Sequence, residues 1–207
     1  MPNHVTNRIT VIKGDFDLSK IKDFNDILPM PEELQDIEHG DMAYDVESML
    51  GIGVFGSRMQ LSHLYEKHNK EEVDKLIQNV LNYGHATWFG WQPEHWGTKW
   101  NMYCREEQGS VLTFNTAWAA PIKVYEALAK TLPEDVILIV VDASEDLGKH
   151  SGVCYLHRYD FSHEEFSRGS FEAYDLAVEL RGMQDEVKYI DGEWVWLDEI
   201  YEDDCDE

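Results

Sequence analysis

Several short stretches of the chain alternate hydrophobic with polar positions, or are hydrophobic throughout, and these patterns predict β-strands. The predicted strands span residues 4–12, 111–118, 136–141 and 152–159. The third stretch, Val136-Ile-Leu-Ile-Val-Val141, is uninterrupted, which is typical of a central strand covered on both faces.

Helical spacing of apolar residues predicts helices over 59–83, with one break, and over 121–132 and 173–181. Asn69 begins the second half of the first helix as its N-cap, and Gly84 ends it. Ser162-His-Glu-Glu165 resembles the capping box at the start of a helix.

The remaining stretches predict turns and irregular segments. Residues 32–57 are polar and are expected to be irregular, although Gly51-Ile-Gly-Val-Phe-Gly56 matches a dinucleotide fingerprint by letter. No good strand precedes that match, so a turn before a helix is the preferred interpretation.

Asp191-Gly192 separates two short apolar runs and predicts a β-hairpin. Asp142, Ser144 and Asp146 have calcium-loop spacing, but the glycine and the twelfth residue do not fit, so a strand-connecting turn is preferred.

Tryptophan is concentrated in residues 87–101, which hold four of the seven tryptophans of the chain. So many large rings in one segment predict either a cap on one end of the core or a binding groove. In the groove interpretation a base or sugar stacks on an indole ring. The candidate binding residues are Trp96, Thr98, Lys99, Trp100, Asn101 and Trp118.

Four segments together resemble the YubB-like family of phage- and plasmid-borne proteins. They are Met1-Pro-Asn-His-Val-Thr-Asn-Arg8, Ile27-Leu-Pro-Met-Pro-Glu-Glu-Leu34, His95-Trp-Gly-Thr-Lys-Trp-Asn101 and Phe114-Asn-Thr-Ala-Trp-Ala-Ala-Pro121. The resemblance spans roughly residues 1–160, and implies a ferredoxin-like domain and an origin in a mobile element. It supplies no catalytic residues, because the family has no established activity.

Pattern and resemblance together predict an α+β fold: a ferredoxin-like βαββαβ antiparallel sheet with helices on one face, a helical insertion and a C-terminal hairpin. The crossover helices are expected at 59–83 and 121–132. We expect a ferredoxin-like domain at 1–160, a helix and hairpin at 161–200 packed on the same core, and an acidic tail at 201–207.

Charge is the property in which the composition departs most from the average. The 207 residues carry 41 acidic and 17 basic side chains, a formal net charge of −24. Phosphate recognition needs a basic face, so direct nucleic-acid binding is not expected. No apolar run is long enough for a membrane span, and the start lacks the features of a signal peptide, so a cytoplasmic location in the host cell is expected.

Acidity and the mobile-element resemblance predict a protein that binds and inhibits a host protein with a basic surface, in particular a nucleic-acid-binding defence enzyme. The carboxylates expected to contact it lie on or beside the predicted C-terminal helix. They are Glu164, Glu165, Glu172, Asp175 and Glu179.

Two alternatives stay open: a module that binds a small molecule or nucleotide at the tryptophan-rich segment, and an enzyme of unrecognised type. No familiar catalytic motif is present, so an enzyme is not the favoured interpretation.

The cysteines Cys104, Cys154 and Cys205 are widely spaced and form no Cys-x-x-Cys pair, so reduced thiols and no metal or other cofactor are expected. The oligomeric state is left open.

Overall fold

The computed structural model describes residues 3–35, 37–52 and 60–197. The acidic tail and most of the glycine-rich Gly51–Gly56 motif lie outside these ranges.

A six-stranded antiparallel sheet organises the described chain, with the order β2-β3-β1-β4-β5-β6. Its strands are β1 (His4–Lys13), β2 (Tyr103–Gln108), β3 (Val111–Ala117), β4 (Ile137–Ser144), β5 (Ser151–His157) and β6 (Asp160–Glu165). The fold is therefore mixed α+β, as predicted. The apolar run at 136–141 falls mainly in β4, an interior strand with partners on both sides. This strand order does not by itself establish the ferredoxin-like topology.

Six α-helices accompany the sheet in the described chain. They are α1 (Asp41–Met49), α2 (Leu61–Lys67), α3 (Lys70–Tyr83), α4 (Trp88–His95), α5 (Ile122–Thr131) and α6 (Phe171–Arg181). The caps of α3 are those predicted: Asn69 accepts from two backbone N–H groups, and Gly84 ends the helix in a left-handed conformation. None of the described helices is long and apolar enough to cross a membrane.

The main hydrophobic core covers one face of the sheet. Alternate strand residues such as Ile9, Phe114 and Leu138 pack there against α5, part of α4 and the segment 18–34, which contains short 3₁₀ helices. The predicted crossover segment 59–83 does lie in the connection from β1 to β2, but its buried residues do not join the main core. Buried residues of α2 and α3 instead join α1 in a separate cluster, which includes Val46, Leu64 and Val73.

The predicted placement of helices on a single face is wrong. Successive strand residues point to opposite faces. Ile9 points into the main core, whereas its neighbour Arg8 forms a 2.9 Å ion pair with Glu179 on α6. The hydroxyl of Ser151 on β5 donates to the Ala173 carbonyl, also on α6. Helix α6 therefore covers the second face.

Three local predictions differ from the structure for identifiable reasons. Residues 32–57 contain α1, whose short apolar face is buried in the cluster with α2 and α3 and not in the main core. The tryptophan-rich segment is not an irregular loop, because α4 occupies most of it and begins with Thr87 as N-cap. Residues 162–165 belong to β6, where pairing with β5 replaces the capping box.

The C-terminal hairpin is confirmed. Strands β7 (Val187–Ile190) and β8 (Glu193–Trp196) form a separate two-stranded sheet. Asp191 and Gly192 between them both have positive φ angles, as a tight hairpin turn requires.

Candidate ligand-binding site

Trp96, the first of the predicted binding residues, belongs to the main core. Its side chain is 0% exposed, and its indole N–H donates to the Leu28 carbonyl at 2.8 Å. Phe24 and Trp91 pack edge-on against it. Trp96 therefore has no surface with which to touch a ligand.

Thr98 and Asn101 also connect parts of the fold. The buried Thr98 hydroxyl donates to the Ala117 carbonyl at 2.8 Å. The Asn101 side-chain oxygen accepts from the backbone N–H groups of Phe24 and Met102, both at 2.9 Å. As expected, Asn101 reaches back to the backbone, and the two residues hold the end of the tryptophan-rich segment in place.

Lys99, Trp100 and Trp118 remain at the surface. The Lys99 ammonium lies 5.0 Å from the centre of the Phe89 ring and 5.8 Å from that of Trp100. No carboxylate of the described residues forms an ion pair with it. Phe89, Pro93, Thr98, Lys99 and Trp118 line a cavity of about 250 Å³.

Trp118 has an unusual backbone conformation. Its φ angle is +73°, a region that a bulky residue other than glycine rarely adopts. Its N–H donates to the Asn3 carbonyl at 2.8 Å, which fixes the chain as it leaves β3. The side chain is 55% exposed. The backbone therefore holds a large apolar ring in solvent, at a conformational cost on the order of 1–3 kcal/mol.

A second cavity, of about 230 Å³, also borders Trp118. Its polar lining consists of Asp142 near the end of β4, His150 just before β5, Ser151 at the start of β5, and His163 and Glu165 on β6. We call this cavity the acidic cavity and the one beside Lys99 the lysine cavity. Trp118 and Ala119 contribute to both.

Asp142 is the most unusual group of the acidic cavity. The residue is only 6% exposed, and its Oδ2 atom is buried without a hydrogen-bond partner. Burial, followed by the nearby charge of Glu165, raises the pKa of Asp142 to about 7. Asn7, its register partner on β1, is by contrast satisfied: the Tyr125 hydroxyl donates to its side-chain oxygen at 2.7 Å, and its amide nitrogen donates in turn to backbone and hydroxyl oxygens.

Cys154 and His163 lie beside Asp142 because of strand register. His163 on β6 pairs directly with Cys154 on β5, and Asp142 on β4 pairs with Gly152 on β5, two residues away on the same face. The ligand-type atoms of Asp142, Cys154 and His163 all lie within 4.8 Å of one another. Burial, followed by the charge of Asp142, raises the pKa of the Cys154 thiol to about 12.

Gly152 leaves space for this cluster. A Cβ atom at this position would lie 3.0 Å from His163 Nε2, 3.0 Å from the Glu164 carbonyl oxygen and 3.5 Å from Asp142 Oδ2. The imidazole and the carboxylate thus converge above a backbone position without a side chain.

A second group with possible metal ligands consists of His85, Glu94 and His95. The Nε2 atom of His85 lies 2.7 Å from a Glu94 carboxylate oxygen, and this hydrogen bond lowers the pKa of Glu94. The His95 ring stacks on Trp91 and its Nδ1 faces the Trp91 carbonyl at 3.0 Å. Each of the three side chains of this cluster therefore already has a hydrogen-bond partner, and none of them holds a buried polar atom without one.

A larger cavity, of about 570 Å³, lies beside α1 and α3. Its charged lining residues Glu38, Asp41, Glu72 and Lys75 are exposed to solvent. No unpartnered buried polar atom of the described chain belongs to its lining. Volume alone therefore does not make it the stronger candidate.

The five predicted acidic residues are all exposed but lie on two elements. Glu164 and Glu165 belong to the edge strand β6, and the other three to α6. Glu179 is paired with Arg8, and Glu165 lies 3.4 Å from His150. Glu164, Glu172 and Asp175 form no ion pair with any other described residue.

The three residues of the Asp142 cluster were not selected as a site from the sequence. They come from three strands, and the only local signal was the incomplete calcium-loop spacing that begins at Asp142. The preferred strand-connecting turn is confirmed, with Asp142 and Ser144 in β4 and Asp146 in the turn, bonded to Asn3 and Lys149. Cys104 and Cys154 are free thiols, the first exposed and the second buried.

Comparison with known proteins gives no relationship: the chain matches no protein-family model, no curated protein and no solved structure.

Proposed function

We propose that the protein binds a small organic anion that carries a flat ring, with nucleotides as the first class to test. The observation that carries this proposal is that two residues line the lysine cavity together. One is Trp118, which is exposed on a strained backbone, and the other is Lys99, which offers an ammonium group. The ring would stack on the indole, and the anionic group would contact the ammonium.

The charge environment of Lys99 supports an anionic ligand. The Lys99 ammonium forms no ion pair with a carboxylate of the described residues, and the contacts it makes there are with the aromatic rings of Phe89 and Trp100. A cation held over rings is partly desolvated, which strengthens its attraction for an incoming anion. The strained backbone of Trp118 supports a functional role, because such strain is concentrated at binding and catalytic sites.

The test is a thermal-shift and calorimetric screen with nucleosides and nucleoside monophosphates in the presence of EDTA. A ligand at a hundred times its dissociation constant stabilises by about 2.7 kcal/mol. That raises the melting temperature by roughly 5–10 °C in a chain of this size. Trp118→Ala and Lys99→Gln should each abolish most of the shift.

The matched controls are a tryptophan and a lysine that do not line the lysine cavity. Trp196 is also exposed, on β8, and Lys130 pairs with Glu126 on α5. Trp196→Ala and Lys130→Gln should leave the shift unchanged. Equal losses in control and test variants, or no shift with any compound of the panel, would contradict the proposal.

A second candidate function is inhibition of a host protein that has a basic, nucleic-acid-binding surface. It is favoured by Glu164, Glu172 and Asp175, which are exposed and make no ion pair with the other described residues. A folded acidic face can compete for a basic surface at a lower ordering cost than a flexible tail. The host compartment would then be the cytoplasm.

This candidate is tested with a triple variant, Glu164→Gln, Glu172→Gln and Asp175→Asn. Salt-sensitive binding to a purified host nucleic-acid enzyme, and inhibition of that enzyme, should be lost. The matched control changes three exposed acids on other helices, Glu66, Glu71 and Glu126, to glutamine. If the control loses binding equally, net charge alone is responsible and there is no specific face.

We also propose that β1 to β4 form a ferredoxin-like unit of a YubB-like protein. In support, these four strands lie in the order β2-β3-β1-β4, with helices in both crossover connections. Strands β5 and β6 would then be an extension on the β4 edge. An experimental structure of a YubB-like protein with a different order of its first four strands would contradict this proposal.

A further inference from the structure

Three side chains of different ligand chemistry converge beside the acidic cavity, and two of them, Asp142 and His163, line it. They offer a carboxylate oxygen from Asp142, a sulfur from Cys154 and an imidazole nitrogen from His163, all within 4.8 Å of one another. Each comes from a different, adjacent strand, so the sheet fixes the three backbone positions relative to one another.

Two further observations indicate that this cluster receives a ligand. Asp142 Oδ2 is buried and has no hydrogen-bond partner, a costly arrangement unless something binds there. Gly152 provides the space, because a side chain there would crowd His163 Nε2 and the Glu164 carbonyl oxygen and would also contact Asp142 Oδ2. The space adjoins the acidic cavity, which provides an entry path.

We propose that Asp142, Cys154 and His163 bind a divalent transition-metal ion, with zinc the best match, and leave one coordination position open to the acidic cavity. The proposal goes beyond the organic ligand proposed above and does not depend on it.

The ligand set favours zinc or cobalt over magnesium or calcium. Magnesium and calcium take oxygen ligands, whereas one thiolate, one imidazole and one carboxylate match a borderline-soft ion. Tetrahedral zinc places neighbouring ligand atoms roughly 3.5 Å apart, so binding brings any of the three atoms that are farther apart than this closer together. His163 is exposed on the edge strand β6, which leaves its ring free to make that movement.

Three protein ligands with a free fourth position are typical of reactive rather than purely structural zinc sites. The free position would face the cavity wall formed by Trp118, His150 and Glu165. A water molecule or a donor atom of an organic ligand would complete the coordination there. The buried thiol must lose its proton when the metal binds, and that proton is released to the solvent as the metal takes its place on the sulfur.

The test uses the full-length protein, reduced and stripped with EDTA, and titrated with cobalt alone. Cobalt occupies zinc sites and gives a near-ultraviolet charge-transfer band when a thiolate coordinates it. We expect one equivalent to bind with that band, and zinc to displace it. Cys154→Ser should remove the band, and His163→Gln should weaken binding by more than the roughly 10–100-fold that loss of an outer-shell contact causes.

Gly152→Ala should also weaken cobalt binding, because the added methyl group enters the space between the imidazole and the carboxylate. The controls are Cys104→Ser and Cys205→Ser, which should keep the band, and His95→Gln, which removes a member of the other candidate cluster. If Cys154→Ser fails to fold, the exposed His163→Gln variant decides.

The proposal is overturned if no thiolate band forms, or if the band persists in Cys154→Ser. It is also overturned if any control variant loses the band, since the metal would then lie at another site. Because no organic compound is present, failure here leaves the nucleotide screen, done in EDTA, unaffected.

Discussion

The tryptophan-rich segment at 87–101 and the region around Trp118 are both rich in aromatic and polar side chains, but their polar atoms differ in how they are satisfied. In the first, Trp96, Thr98 and Asn101 all bond to backbone groups of distant segments. In the second, a tryptophan is exposed on a strained backbone, and Asp142 Oδ2 has no partner. The packed rings around Trp96 therefore belong to the core, whereas the candidate site lies where Trp118 is exposed and Asp142 is unsatisfied.

Gln92 shows that a buried polar atom without a partner does not by itself identify a binding site. Its Oε1 atom is also buried without a partner, and it lies in α4 within the tryptophan-rich segment. However, it borders none of the cavities described above and belongs to neither group of possible metal ligands. An unsatisfied atom indicates a site only where other polar groups and free space converge on it.

The largest effect that tests the comparison is expected for Trp96→Ala. The change removes a fully buried indole and leaves the Leu28 carbonyl without its donor, so the free energy of unfolding should fall by roughly 3–5 kcal/mol. Urea denaturation measures it. The same change at Trp118 should cost far less, and equal losses at the two positions would remove the distinction between core and surface tryptophan.

The second prediction concerns Asp142→Asn in metal-free protein. The pKa of Asp142 in the fold, about 7, lies above its ordinary value of 3.8, so the folded state holds the proton more tightly than the unfolded state. Stability from this group is therefore present at low pH and is lost as pH rises through about 7. At pH 8 the variant should be more stable than the wild type, by up to about 4 kcal/mol.

Denaturation at pH 5 and pH 8 in EDTA measures this effect, and the difference between the two proteins should shrink at pH 5. Asp146→Asn is the matched control. Hydrogen bonds from Lys149 and Asn3 lower the pKa of Asp146, so its loss should destabilise at pH 8. With zinc added, the advantage of Asp142→Asn should disappear, because the metal stabilises the wild-type carboxylate. An unchanged pH profile would mean that Asp142 is solvated in solution.

The sequence predicts those features of the fold and of the candidate site that depend on neighbouring residues, and not those that depend on residues far apart in the chain. The Asp191-Gly192 turn, the Asn69 cap and the buried strand β4 follow from neighbouring residues, and all three were predicted correctly. The Asp142 cluster was not, because it depends on the register of three strands. The exposure of Trp118 also was not predictable, because it depends on a backbone turn held by Asn3, a residue over a hundred positions away.

The smallest effect, and the sharpest test of strain at Trp118, comes from comparing Trp118→Gly with Trp118→Ala. Both remove the same half-exposed ring, but only glycine adopts a φ angle of +73° without steric cost. The glycine variant should therefore be the more stable of the two, by about 1 kcal/mol.

The control is exposed Lys75, at a regular helical position in α3, where the order should reverse, with the alanine variant more stable than the glycine variant by a similar amount. Both Trp118 variants should lose nucleotide binding. If Trp118→Ala is as stable as Trp118→Gly, the turn relaxes once the indole is gone, and the backbone is not what holds the ring in solvent.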